Sequence, residues 1–474
     1  MIKQENIREK ILNSANELRW EIGENFHDTL LQSIYQNASE ITARTVSYDN
    51  KGRKYNFDST LDRIVTSRIL GFPIMFLLLS FVFWLTITGA NYPSQLLSFV
   101  LIDTLQPVFR NFFNYLSSPW WFTGVVVDGA YLASAWVISV MLPPMAIFFP
   151  VFTLLEDYGY LPRVAFNMDS LFRKAGAHGK QALTMTMGFG CNTAGVVAAR
   201  IIDSPRERLI AIITNNFSLC NGRWPTQILI ATIFIGGAVS PPLAGFVSAG
   251  AVVSVAILGI AFSLLTSWSL SKTVLKGKAS AFSLELPPYR PPRVLQTLYT
   301  SLIDRTIIVL WRAIFFAIPS GVVIWLVANV TVSEISIAEY LINWLNPLAF
   351  VIGLNGIILL AYIIAIPANE IVIPTILMLT VLVSGNDAVG SGAGVLFEID
   401  SVNATGELLK SSGWTLLTGI NLMLFSLLHN PCSTTIYTIY KETKSVLWTF
   451  VSSLLPLLIG FVVCFLVTVF FGLF

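Results

Sequence analysis

"MTMGFGCNTAGVVAARIID", residues 185–203, is the stretch on which the reading of this chain turns. Gly188, Gly190, Cys191, Asn192 and Gly195 fall close together inside what is otherwise a run of apolar side chains. Each interior glycine costs a helix about 1 kcal/mol relative to alanine. Backbone groups freed from helical pairing are tolerated at membrane depth only where protein or a water-lined cavity surrounds them. Cations flank the stretch on both sides, with Arg163, Arg173, Lys174 and Lys180 before it and Arg200, Arg206 and Arg208 after it. A segment that begins and ends among cations starts and finishes on one side of a membrane. We therefore read 181–202 as a broken or re-entrant helix.

The surroundings support a lipid environment. The chain has 474 residues, 54% hydrophobic and 12% charged, against about 25% charged in a soluble domain. "GFPIMFLLLSFVFWLTITG" (71–89) and "VSSLLPLLIGFVVCFLVTVFFGLF" (451–474) reach the roughly 20 apolar residues that a helical span needs. The expected fold class is all-α, a polytopic helical membrane protein embedded in the lipid bilayer. A net charge of +2 with dispersed cations gives no surface for nucleic acid. Cys191, Cys220, Cys432 and Cys464 form no CxxC pair and lie in or beside apolar runs, so a disulfide framework is not expected. No basic start followed by a short apolar core marks a secretory leader.

Lys and Arg set the orientation. Ten lie between Lys3 and Arg68, whereas 313–409 holds none and carries seven acids, among them Glu334, Glu339, Asp387, Glu398 and Asp400. The first set belongs inside, which puts the N-terminus in the cytoplasm.

Four regions follow. Residues 1–68 form a cytoplasmic helical arm, 69–270 a first membrane half, 271–300 a cytoplasmic linker around "ELPPYRPPR", and 301–474 a second membrane half. In the first half we expect a span at 71–89, an interfacial segment at 90–120, a span at 122–155, a loop at 156–180, the broken segment, and spans at 209–235 and 243–270. In the second half we expect a span at 306–330, then an interruption at "AIPANEIVIP" (365–374) that enters from the outside. A further interruption, at "LLHNPCSTT", falls within 413–440, and a last span covers 446–474.

The halves echo one another. Cys191 is followed nine residues later by Arg200 and then by Asp203; Cys432 is followed nine residues later by Lys441 and then by Glu442. With interruptions entering from opposite sides, this reads as a repeat of inverted topology with helices broken in matching places, the sequence-level pointer to a midplane site.

Polar residues at membrane depth raise a functional question by default. Cys191, Cys220 and Cys432 offer thiols, and Asn192 and Glu370 offer oxygen. Such a mixed soft and hard donor set suits a borderline divalent ion better than Mg²⁺ or Ca²⁺. The bland alternative keeps Cys191 as a small packing residue and the glycines as helix-contact points. Gly188, Gly190, Asn216, Asn369, His429, Asn430 and Ser433 are supporting candidates. Arg223, in mid-segment, needs a carboxylate or carbonyl partner. Glu370 is protonated, paired with a cation such as Arg223, or ion-binding. Cys464 reads as packing. His178 and Asp169 read as structural.

"LPP" (142–144), "LLEDYGYLPRVAFNMD" (154–169), "GAHGK" (176–180), "GFGCN" (188–192), "SPRERL" (204–209), "CNGRWP" (220–225), "ELPPYRPP" (285–292), "IPANEIVIP" (366–374) and "NPCSTTIYTIYKET" (430–443) together resemble the membrane portion of the bacterial ferrous iron transporter B family (FeoB). The resemblance covers nearly everything after about residue 57. It implies two Gate regions with broken helices, around Cys191/Cys220 and around Glu370/Cys432, in a permease of the bacterial plasma membrane that carries Fe²⁺ as substrate. The metal path it implies runs through Cys191, Cys220 and Cys432, with Asn192 and Glu370 as oxygen ligands. Members generally open with a GTP-binding domain, and no G-x-x-x-x-G-K-[ST] loop occurs among these residues. A separate small GTP-binding protein is therefore the implied partner, this chain is expected to be a transporter rather than an enzyme, and no resident cofactor is expected. A homo-oligomer is compatible with the sequence. Mn²⁺, Zn²⁺ or a nucleoside-like solute is the alternative cargo, and a non-transporting scaffold for the GTP-binding protein is the third reading.

Overall fold

A computed structural model describes residues 26–45, 57–67, 70–177, 179–202, 204–276, 293–332, 335–384, 394–397, 399 and 401–472. His178, Asp203, Glu334, Asp387, Glu398, Asp400, the centre of the 271–300 linker and much of the 1–68 arm lie outside them.

By contacts the chain divides into two units, Met1–Leu61 with Ser280–Glu285, and Asp62–Ala279 with Leu286–Phe474. The first contains α1 (Phe26–Thr45), a polar helix with an exposed Glu40–Arg44 pair at 4.0 Å. Helix α2 (Phe57–Val65) ends in the second unit. There Asp62 accepts from the buried Arg163 at 3.0 Å, and Asn167 donates to the Val65 carbonyl at 2.8 Å.

Among the described residues of the second unit, five helices are long and apolar enough to cross a membrane: α3 (Gly71–Tyr115), α4 (Trp120–Asp157), α10 (Pro241–Lys272), α11 (Val294–Asn329) and α18 (Val446–Gly472). Between them lie α5 (Tyr160–Lys174), α6 (Gln181–Gly190), α7 (Asn192–Ala198), α8 (Pro205–Thr214) and α9 (Trp224–Ile230). The second half adds α12 (Ile337–Val351), α13 (Gly356–Ile364), α14 (Val372–Ser384), α15 (Val402–Ser411), α16 (Leu416–Leu428) and α17 (Ser433–Thr443). Two bent pairs, Ile337–Val351 with Gly356–Ile364 and Val402–Ser411 with Leu416–Thr443, each turn by 111°. Counting each pair as one span gives seven. The only strands among the described residues are β1 (Thr331–Val332) and β2 (Ile335–Ser336), a short antiparallel hairpin.

Hydrophobicity sorts the helices. The long ones expose apolar side chains such as Leu77, Phe246, Trp311 and Phe450, as lipid-facing helices do, while α13, α14 and α16 bury nearly every residue. A helix apolar all round belongs inside, so the broken helices form the centre and the long ones the periphery.

The segment 90–120 is largely helical, since α3 runs on to Tyr115 through Pro93 and a π-helical stretch at Phe99–Leu105. Two expectations fail. The loop 156–180 is largely α5, which Gly159 opens at φ 88°, a conformation that glycine adopts without strain. The span 209–235 is broken between Thr214 and Trp224. Pro225 has no N–H to offer at the start of α9, and the polar run Asn215–Ser218 turns inward instead of completing a helix.

Candidate functional site

Four helix breaks meet at the centre. Between α6 and α7, Cys191 is extended (φ −154°, ψ 122°). Ahead of α14, Ala368 is extended in the same way (φ −151°, ψ 119°). Cys220 (φ −75°, ψ 165°) precedes the turn into α9, and Cys432 (φ −63°, ψ 157°) precedes α17.

The glycines that interrupt the opening stretch are explained by what they admit. A Cβ on Gly188 or Gly195 would strike the Asn215 carboxamide, and one on Gly190 would strike the Phe148 ring. Asn215 uses that space to donate to the Asn192 carbonyl at 2.8 Å. With its amide nitrogen turned inward, Asn192 donates to the carbonyls of Gly188 (3.0 Å) and Ser218 (3.2 Å). The groups freed at one break are thus satisfied by side chains from the next. Gly222 does the same for Glu370, whose carboxylate lies where a Cβ would be.

Cys191, Asn192, Cys220, Asn369, Glu370 and Cys432 all line one chamber, with Gly190 in its wall. Among the described residues no cation pairs with Glu370, and no three His, Cys, Asp or Glu side chains converge closely enough to hold a metal ion. The chamber's donors are thus spread over its wall. Thr193, Thr434 and Thr435 and the thioethers of Met141 and Met145 also line it. The sequence reading passed over these residues, although Met141 and Met145 bracket the "LPP" run. Glu370, Asn221 and Gly222 also border a second cleft, lined by Asn91, Ser94 and Thr226, and Thr193 also borders a third, lined by Arg200, Arg312 and Lys441.

The remaining candidates support the chamber. Arg223, 1% exposed, finds carbonyls and not Glu370. It donates to Asn216 (3.2 Å), Leu427 (3.0 Å), His429 (3.3 Å) and Asn430 (3.2 Å). Leu427 and His429 lie at the C-terminal end of α16, its negative end, and Asn430 follows in the break. Asn216 points away from the chamber and donates to Ser452 of α18 at 2.9 Å. His429 bonds to the Ser426 carbonyl at 2.9 Å and to Asn369 at 3.1 Å, and Asn369 in turn reaches the Cys220 sulfur at 3.8 Å. The backbone N–H of Ser433 donates to Ile366 at 2.9 Å, tying the two breaks of the second half together. Cys464 lies in α18 with its sulfur on the Asn421 carbonyl at 3.5 Å, as a packing residue would.

The echoing segments turn out to be neighbours. Thr193 and Thr435 bond at 2.9 Å, and Arg200 grips Glu442 through two contacts of 2.8 and 2.6 Å. Helices α7 and α17 consequently run side by side from their breaks in the same direction. Chain order and backbone geometry pair Cys191 with Ala368 and Cys220 with Cys432.

Residues 138–234 match the family described as Gate, nucleoside recognition, and 252–304 match the ferrous iron transport protein B C terminus. The chain is 28% identical over 456 residues to the Fe(2+) transporter FeoB of Staphylococcus aureus (strain MSSA476), covering 94% of this chain and 62% of that protein. The FeoB of Synechocystis sp. is 26% identical over 415 residues, 86% of this chain and 62% of its own length. An Fe(2+) transport protein A/FeoB fusion protein of Porphyromonas gingivalis is 34% identical over 232 residues, 49% of this chain and 26% of that protein. The chain thus spans less than two thirds of the length of these relatives. No solved structure matches it. On these matches the chain is similar to the membrane portion of FeoB proteins along nearly its whole length.

Proposed function

We propose that this chain is a permease for ferrous iron. The observation that carries the reading is the meeting of three thiols and one carboxylate at four helix breaks, between two clefts. Fe²⁺ enters the cleft that borders Glu370, where a carboxylate and the Asn221 amide replace part of its hydration. It passes to Cys220, Cys191 and Cys432, softer donors that suit a borderline ion, and leaves past Thr193. Conduction needs donors that bind in succession and release, and donors spread along a path meet that need better than a closed tetrahedral cage.

The chain resides in the bacterial plasma membrane with its N-terminus in the cytoplasm, the side of the basic clusters. A GTP-binding protein gates it from that side, docking on the arm and loops; any GTP hydrolysis belongs to that partner. The names of the relatives support iron as cargo. The description of the Gate family as nucleoside recognition favours a second reading, a nucleoside held by the amides of Asn192, Asn221 and Asn369, but amides alone give no role to three thiols.

Uptake into proteoliposomes tests the proposal with Fe²⁺, Mn²⁺, Zn²⁺ and uridine, with and without the candidate GTP-binding chain. We expect Fe²⁺ uptake to fall at least about tenfold in C191A, C220A and C432A and to persist in C464A. Wild-type Fe²⁺ rates in the triple alanine variant would sink the thiol path, and uptake of uridine alone would establish the second reading.

A further inference from the structure

The cleft below Thr193 has a composition that ion passage does not explain. Its cavity volume is about 460 Å³, between α4, α5, α6, α7, α11 and α17. Its walls are largely apolar, including Leu161, Leu183, Ile201 and Val309, and its charged lining comprises Arg200, Arg312, Lys441, Glu156 and Glu442. Three cations therefore face two carboxylates.

Arg200 is committed to Glu442 by its two contacts of 2.8 and 2.6 Å. Arg312 and Lys441 have no acidic partner among the described residues. The guanidinium of Arg312 lies over the Tyr437 ring at 5.9 Å. Tyr437 and Lys441 are one helical turn apart on α17, so they share a face. That brings both unpaired cations to one wall of the cleft. Arg312 sits well inside a helix long and apolar enough to span a membrane, and a cation so placed calls for a partner.

The cleft also opens toward lipid. Ile308, in its lining, is 45% exposed, and it continues the exposed apolar stripe of α11 through Trp311 (70%) and Phe315 (67%). A ligand that enters here must have an apolar body and an anionic head.

We propose that this cleft is a binding site for an anionic phospholipid, with the phosphate between Arg312 and Lys441 and an acyl chain along Leu161, Leu183, Ile201 and Val309. Basic pockets between spanning helices hold acidic headgroups in this way. The site does not depend on the identity of the transported ion.

The test uses the full chain purified in detergent, with lipid retention read by native mass spectrometry against phosphatidylglycerol and phosphatidylcholine of matched chains. Phosphatidylglycerol should be retained in preference. R312Q and K441Q should each lower that retention about fivefold, R312K should keep most of it, and K410Q, outside the cleft, should leave it unchanged. R312K guards against misreading a folding defect, since it keeps the charge at the same place. Equal retention of the two lipids by the wild type would overturn the proposal, as would wild-type retention in R312Q and K441Q. Displacement of the lipid by millimolar inorganic phosphate would overturn it too, by making the cleft a site for free oxyanions.

Discussion

Cys191 and Ala368 carry the same bend, within 3° in both φ and ψ, on side chains with different chemistry. Each is followed by an asparagine, Asn192 or Asn369, but the next residue is Thr193 in the first half and Glu370 in the second. Cys220 and Cys432 match in backbone and side chain, yet three residues on stand Arg223 and Thr435. At these breaks the backbone bends match while the chemistry is divided: the chamber's one acid comes from the second half, Glu370, and Arg223 comes from the first. Each half also reaches into the other, Arg223 to the carbonyls of Leu427, His429 and Asn430, and Thr435 to Thr193. Each half leaves some of its buried polar groups for the other to satisfy.

The sharpest way to break this comparison is to remove two of the cross-half links in turn. Arg223→Gln leaves several buried carbonyls without donors at about 1–3 kcal/mol each, so a loss of roughly 3–5 kcal/mol is expected, or failure to assemble. Thr435→Val breaks a single hydroxyl pair and should cost about 1 kcal/mol. Thermal unfolding in detergent, followed by size-exclusion chromatography, reads both. If R223Q melted with T435V, the arginine would not be the anchor that its four hydrogen bonds suggest.

A smaller effect tests the fit of one half against the other at the chamber. Gly222→Ala puts a methyl group where the Glu370 carboxylate lies, whereas Gly245→Ala adds one where nothing lies within 4 Å. We expect Gly222→Ala to fold and to lower Fe²⁺ uptake by about tenfold, equivalent to 1.4 kcal/mol, with Gly245→Ala unchanged. Equal uptake in the two would mean that Glu370 can carry ions from another position.

Much of this was legible because lipid is an unforgiving solvent. Apolar runs marked the long helices, and polar residues out of place marked the breaks at Cys191, Ala368 and Cys432. The break before Cys220 was read as part of a span because hydropathy averages over Asn215, Asn216 and Ser218, although Arg223 and Pro225 were visible there. The glycines signalled a loosened helix, but that Gly188 and Gly195 make room for Asn215 is a tertiary fact about a residue some twenty positions away. The match between Cys191 and Cys432 holds as spacing, and in space the two segments are neighbours. It registers two adjacent helices, because side-by-side contact also favours small residues at one end and opposite charges at the other. Met141 and Met145 escaped notice since a methionine in an apolar helix carries no signal of what it faces.

Making the halves more alike sharpens the comparison from the other direction. Ala368 lines the chamber in the position where the first half has Cys191. Ala368→Cys therefore adds a fourth thiol without disturbing the bend. We expect Cd²⁺, a thiophilic probe, to bind about fivefold more tightly, measured by the ultraviolet charge-transfer absorbance of the thiolate complex. Unchanged affinity would show that the matched backbones do not aim their side chains at a common point.

The smallest effect belongs to the ion pair at the edge of the third cleft. Arg200 is 59% exposed and Glu442 10%, and the two meet in a bidentate contact. The hydrogen bonds to Glu442, with its charge, push the Arg200 guanidinium above its ordinary value. Solvent screens the pair on the arginine side, and a coupling of about 0.5–1 kcal/mol is expected. R200Q, E442Q and the double variant, melted at low and high salt, measure that coupling as a double-mutant cycle. It should shrink as salt rises, while the Thr193–Thr435 bond, neutral and buried, should hold α7 against α17 at either salt. A coupling of zero at low salt would leave the threonine bond as the measurable link between the two helices, and a coupling insensitive to salt would mean that the pair is shielded from water in the membrane.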